Sequence, residues 1–130
     1  MSVRTDLNCC SFTGRITGAP KTGTYSGDGS KTWIIFSIAN NTLFFNDEKK
    51  SWDAHTSFID CVCFEDTDVA KELLEDLTKG RKIAVSGILK MRQRTVKGSA
   101  IIYNVPQLVV SNIDFQDNNE QWKSNRWIKR

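Results

Sequence analysis

The sequence predicts an all-β domain: a five-stranded, partly open Greek-key barrel with one α-helix between the third and fourth strands. Three observations predict it. Apolar side chains recur with period two over most of the chain, the signature of half-buried strands. Only one stretch, near residue 70, has helical spacing. The order is three strands, the helix, then two strands, which matches this barrel, whereas a β-sandwich wants about seven strands. The 130 residues suit one core, because single domains usually need roughly 100–150.

The first strand spans residues 8–17, where Cys10, Phe12, Gly14 and Ile16 alternate with Cys9, Ser11, Thr13 and Arg15. A Gly-rich polar stretch, 18–31, follows, and Pro20, Gly23, Gly27 and Gly29 are expected to break any regular element there. Residues 32–40 form the second strand, with Ile34, Phe36 and Ile38 on one face and Trp33, Ile35, Ser37 and Ala39 on the other. A charged hairpin tip at 46–55 leads into the third strand, 56–64. Its two faces are Phe58, Asp60, Val62, Phe64 and Ile59, Cys61, Cys63; both carry apolar groups, so periodicity leaves the inward face open.

The helix begins with Asp66, Thr67 and Asp68 as N-cap and first-turn residues. Val69, Leu73 and Leu77, with Ala70 and Leu74, make its apolar stripe, and Lys79-Gly80 marks its end. Residues 81–91 and 100–110 are the last two strands. Pro106 calls for an edge position or a bulge, and residues 113–115 suggest a short return. The domain is thus read as 1–115, with 116–130 a basic, aromatic tail whose polar composition predicts flexibility.

Composition excludes several classes. Apolar residues are 39% and charged residues 25%, and no run approaches the roughly 20 apolar residues of a membrane span. Residues 1–6 lack an apolar segment, so no secretory signal is expected. The net charge of +3 hides a lopsided distribution. Residues 46–76 hold ten acids and three bases, whereas 77–110 hold seven bases and no acid. Such an acid-free basic stretch sets up a local field suited to polyanions.

Catalytic machinery is sparse. His55 is the single histidine, and no Gly-rich phosphate loop precedes a helix. The four cysteines, Cys9-Cys10 and Cys61-x-Cys63, lack zinc-ribbon spacing and read as free thiols, the second pair as buried hydrophobes. Carboxylates at Asp66, Asp68 and Glu72 could in principle hold Mg²⁺ for a nucleic-acid enzyme, but helix-cap and solvated-face roles explain them better. The chain therefore reads as no enzyme, with no metal and no cofactor.

The barrel so predicted is the OB-fold, which binds oligonucleotides on its second and third strands and their loops. Sequence-tolerant binding of single strands needs aromatic platforms for bases and cations for phosphates. Candidate platforms are Phe58 and Phe64 on the third strand, at a separation near that of extended bases, and Trp33 on the second. Phe44, Phe45 and Trp52 in the hairpin tip and Tyr25 in the Gly-rich loop join them. Candidate phosphate ligands are Arg15, Lys31, Lys90, Arg92, Arg94 and Lys97.

Taken in order, Asn8, Gly14-Arg15-Ile16, Pro20, Phe36-Ser37-Ile38-Ala39, the run from Phe58 to Phe64, Leu77, Lys79-Gly80, Ile83, Val85, Gly87, Leu89 and Lys90-x-Arg92 resemble the bacterial-type single-stranded DNA-binding protein family. The resemblance covers about residues 8–115. It implies that Phe58 and Phe64 stack on bases, that Ile59, Cys61 and Cys63 lie inside, and that Arg15, Lys90 and Arg92 line the strand's path. It further implies a homotetramer that coats single-stranded DNA in replication, recombination or repair. A bacterial or phage-infected cytoplasm and nucleoid would be its place, with the mitochondrial matrix as alternative. An OB module of a replication-restart or RNA-binding assembly is the alternative reading.

Three departures stand out. Family members usually carry tryptophan at the position of Phe58 and an aromatic near Arg94. Asp60 lies between the two phenylalanines, where it would repel phosphate unless an Arg or Lys neutralises it. The family's acidic, Phe-terminated tip is replaced by a basic stretch with Trp122 and Trp127, so recruitment of replication enzymes by such a tip is not expected. Those two tryptophans are candidate extra contacts to nucleic acid.

Overall fold

Alternation of apolar residues is what closes this chain into a barrel. The computed structural model describes residues 5–116 and 120–123. Its elements are β1 (Cys10–Ile16), β2 (Lys21–Thr24), β3 (Lys31–Asn46), β4 (Ser51–Asp66), α1 (Thr67–Asp76), β5 (Lys82–Thr95), β6 (Ile102–Phe115) and β7 (Glu120–Lys123). The sheet runs β1-β5-β6-β4-β3-β2, and β1 returns to β3 at Arg15↔Ala39 and Ile16↔Ile38. That second pairing of β1 closes the barrel of five long strands. All neighbours are antiparallel except β4 and β6, which meet in parallel at Cys61↔Leu108 and Val62↔Val109. The all-β class and the helix between the third and fourth long strands are as predicted.

The core takes one face of each strand. Ile34, Phe36 and Ile38 of β3 meet Cys61 and Cys63 of β4, with Ile83 and Val85 of β5 and Leu108, Val110 and Ile113 of β6. The face of β4 left open by periodicity is thereby settled: the thiols point inward and Phe58 is 70% exposed. In β6 the inward set shifts phase, from Leu108 and Val110 to Ile113 and Phe115. A bulge makes this possible, because Ser86 pairs with Asn112 but Gly87 with Val110, leaving Ser111 over. A Cβ on Gly87 would collide with the Val109 carbonyl, so the bulge requires glycine. The three residues expected as a separate return, 113–115, are therefore the end of β6 itself.

Other boundaries also differ from the sequence reading. The Gly-rich stretch is not wholly irregular: β2 pairs with β3, and Gly23 lets the Trp33 indole lie directly against its backbone. The hairpin tip is only the turn between Asn46 and Ser51, since β3 and β4 stay paired through sixteen residue pairs. In that turn Asn46 Oδ1 accepts hydrogen bonds from the backbone N–H of Glu48 (3.0 Å) and Lys49 (3.2 Å). Side-chain orientation thus continues in strand register where polar composition suggested a loop.

α1 plugs one end of the barrel with Ala70 and Leu73, and Leu77 follows at its C-cap. Asp66 has N-cap backbone geometry but makes no side-chain cap bond, because its carboxylate is engaged by Lys31. The helix start is held instead by the preceding loop: Thr67 N–H donates to Ser30 O (2.9 Å) and Thr67 Oγ1 to Gly29 O (2.6 Å). Beyond the helix, Gly80 adopts φ +85°, a left-handed conformation that glycine tolerates, and donates to Ile16 O at 2.7 Å. Among the described residues no helix is long and apolar enough to cross a membrane.

The largest correction concerns the C-terminal segment. β7 pairs with β6, with Trp122 opposite Ile113, and Trp122 is only 8% exposed within the core cluster. It cannot serve as a free tail platform; it belongs to the buried cluster with Leu73 and Phe115, against which Val69 packs. Trp127 lies outside the described residues.

All four cysteines are free thiols, Cys9 exposed, Cys10 half-buried, Cys61 and Cys63 buried. Burial pushes the Cys61 thiol up to about 12 and holds Cys63 well above the ordinary thiol range. The fold favours the neutral form, so this stabilisation is complete below the unfolded thiol value of about 8.5 and is lost as pH climbs towards the folded one. Iodoacetamide at pH 8 should therefore modify Cys9 and Cys10 in the native protein and all four in urea. The urea midpoint should hold to about pH 8 and fall at higher pH; native alkylation of Cys61 or Cys63 would contradict this packing.

Candidate nucleic-acid interface

Directly paired residues share a face of the sheet. On the outer face, β3 and β4 present Trp33 with Phe64, Ile35 with Val62, Ser37 with Asp60, Ala39 with Phe58, Asn41 with Thr56, and Phe45 with Trp52. Val62 carries the face across to Val109 on β6, and Val109 to Ile88 on β5. By the same alternation Lys90, Arg92 and Arg94 follow Ile88, opposite Gln107, Val105 and Tyr103. The β4 aromatics and the β5 cations thus belong to one face of one sheet.

Two arms extend from it. β4 and β6 are parallel and touch only at residues 61–62 and 108–109, so the β3–β4 and β5–β6 hairpins leave the barrel in the same direction. One arm carries aromatics, the other cations. Trp52, Phe58 and Phe64 recur every six residues of β4, a step of ~20 Å at ~3.3 Å per residue. This corrects the expected spacing: the platforms are several nucleotides apart, not one base apart.

The platforms differ in how they are held. Phe58 faces Ala39, whose small side chain leaves its ring open. Trp52 is 66% exposed and meets Phe45 edge to face, centroids 5.5 Å apart. Between them Thr56 Oγ1 donates to Asn41 Oδ1 at 2.6 Å. Phe64 is half-buried, with Tyr25 edge-on at 5.6 Å and Trp33 opposite. Tyr25 is held by the loop at 26–30, where Asp28 Oδ1 accepts from Ser30 N–H (3.0 Å) and Oγ (2.7 Å). These bonds, the Ser30 hydroxyl first, lower the Asp28 carboxyl to about 2.

Among the cations, Lys90, Arg92, Arg94 and the turn residue Lys97 are exposed, with no acid paired to them among the described residues. Lys31 is bonded to Asp66, which raises its affinity for a proton and offsets part of its charge. Arg15 lies on the outer face beyond Ala39, its Nη1 donating to Gly80 O at 3.0 Å. Asp60 is exposed and has no cation within 4 Å among the described residues, so the anticipated Arg or Lys partner is not there.

The sequence matches the single-strand binding protein family over residues 7–116. The chain belongs to that family. No curated protein matches it in sequence. Among solved structures it is similar to a Plasmodium falciparum SSB in complex with ssDNA, with TM-score 0.69 and 22% identity over 85% of this chain and 91% of that one. It is also similar to a small single-stranded DNA-binding protein from Streptomyces coelicolor, with TM-score 0.58 and 16% identity over 91% and 94%. At those identities the likeness is one of fold.

For a single-strand binding protein, the structure brings Trp33, Phe45, Trp52, Phe58, Phe64, Lys90, Arg92 and Arg94 onto one outer face, with Tyr25 and Lys31 at its end. Phe44 is not among them: it pairs with Asp53 on the opposite face of the arm. Sequence reasoning missed Tyr103, 45% exposed and opposite Arg94, and Gln107, opposite Lys90. The alternation Tyr103, Val105, Gln107 was the available signal, but it yields a face only once the bulge at Ser111 fixes the phase.

Proposed function

We propose that this single-stranded DNA-binding protein coats and protects exposed single strands, stacking bases on the β4 platforms and holding phosphates along the β5 cations. One observation carries the reading: the aromatic arm and the cationic arm open from one contact and share one sheet face. Stacking on platforms with phosphate contacts alongside is tolerant of sequence and needs no catalytic group. The same chemistry suits replication, recombination and repair intermediates, in the cytoplasm or nucleoid where they arise.

Tryptophan fluorescence during titration with oligo-dT, oligo-rU and duplex DNA tests it at two salt concentrations. Quenching by oligo-dT, weak duplex binding and steep loss with salt are expected. An equal response to duplex would mark a merely basic surface, and no response to oligo-dT would favour a protein partner. Replacing Arg92 and Arg94 together by serine should flatten the log–log salt slope by about 1.4, at roughly 0.7 per phosphate on single strands.

A homotetramer is the proposed assembly. β1 pairs with β3 only at its last two residues, so its edge from residue 10 to 14 offers backbone groups to a second copy, apart from Thr13 O, which accepts from Asn40 Nδ2 at 2.8 Å. Light scattering should give four times the 14.7 kDa chain mass; a monomer mass would contradict it.

A further inference from the structure

Asp60 is out of place on a face that binds phosphate. It is exposed, and the two ion pairs among the described residues, Lys31–Asp66 and Arg81–Asp76, do not include it. A carboxylate beside a polyanion repels it, most strongly at low salt. Its position nevertheless suits another ligand. Asp60 lies two residues from Phe58 on the same face, ~6.6 Å along the strand at ~3.3 Å per residue. Ser37 stands directly opposite Asp60, while the neighbouring pair, Ile35 with Val62, is apolar. A base stacked on the open Phe58 ring therefore has a polar row on either side: Asn41 with Thr56, whose side chains are bonded to each other, and Ser37 with Asp60, which holds a hydroxyl and a carboxylate in no ion pair among the described residues.

The chemistry of that row is selective. An ionised carboxylate only accepts hydrogen bonds. Guanine offers adjacent N1–H and N2–H donors that match both carboxylate oxygens. Cytosine and adenine each offer one exocyclic amine. Thymine offers only N3–H, flanked by two carbonyl oxygens that the carboxylate repels. Phosphate contacts carry no base information, so on this face a base-edge acceptor is where selectivity can enter.

We propose that Asp60, with Ser37 beside it, is a base-reading subsite that accepts hydrogen bonds from the N–H edge of a base stacked on Phe58 and favours guanine over thymine. It rests on the reading of this face as the single-strand site. Anisotropy titration of labelled d(TTG)5 and d(T)15, neither with runs of guanine, tests it. The native protein should bind d(TTG)5 about fivefold or more tightly, the low end of what a bidentate base contact contributes. Asp60→Asn and Asp60→Ser should reduce that preference below about twofold and tighten d(T)15, with the thermal midpoint unmoved because the side chain is exposed. Equal binding of the two oligonucleotides by the native protein would overturn the subsite. So would an Asp60→Asn variant that gains equally on both, since charge alone would then account for it. Failure of both oligonucleotides to bind would instead overturn the single-strand reading, and the subsite with it.

Discussion

Phe58→Ala should weaken oligo-dT binding about tenfold and leave the thermal midpoint nearly where it was. Stacking on an aromatic side chain contributes roughly 1–3 kcal/mol per base, and 1.4 kcal/mol is a factor of ten. The ring is 70% exposed opposite Ala39, so little core packing goes with it. Phe64→Ala should behave differently. Phe64 is half-buried between Tyr25 and Trp33, so its loss should lower both affinity and stability. The contrast is the informative part, to be read from paired titrations and thermal melts. A Phe58→Ala protein that melts many degrees early would mean that the β4 face has been assigned backwards.

Trp122→Ala should cost about 3 kcal/mol of folding stability, as large aromatic truncations in cores do. Against a typical total of roughly 5–15 kcal/mol, that is a large share. The indole belongs to the buried core cluster that also holds Leu73 of α1 and Phe115. Its Nε1–H is buried without an acceptor, an arrangement that itself opposes folding. Trp122→Phe should therefore be far milder than Trp122→Ala, because it removes the unpaired donor and keeps most of the apolar volume. Urea denaturation of both variants checks this; a neutral Trp122→Ala would show that β7 adds nothing to the barrel. It follows that a deletion meant to probe tail contacts to DNA must start at residue 124. Starting at 116 would remove Trp122 and confuse stability with binding.

Much of the barrel was legible in the sequence because period-two alternation is dense in β1, β3 and β5, where one face is cleanly apolar. β4 was not legible, since Val62 on the outer face is as apolar as Cys61 inside; the pairing Ile35–Val62–Val109–Ile88 explains why both faces need apolar groups. The arms were underestimated for a related reason. Polar and aromatic residues such as Asn41, Thr56 and Trp52 look like a loop when no core demands alternation, yet backbone pairing continues. β7 escaped notice because a four-residue strand with one inward tryptophan has no period to detect. Within the site, residue types were readable and their grouping was not. The cations of β5 and aromatics of β4 meet only through β6, a connection that depends on a two-pair parallel contact and one bulge.

The central claim is that one outer face receives the single strand. Photocrosslinking of an oligo-dT containing 5-iodo-deoxyuridine, with mass-spectrometric mapping of the modified residues, tests it most directly. Crosslinks should concentrate at Trp52, Phe58 and Phe64, with Tyr103 on the second arm as the next site. Crosslinks confined to α1 or to the outer residues of β1, Ser11 and Thr13, with the three platforms unmodified, would contradict the account.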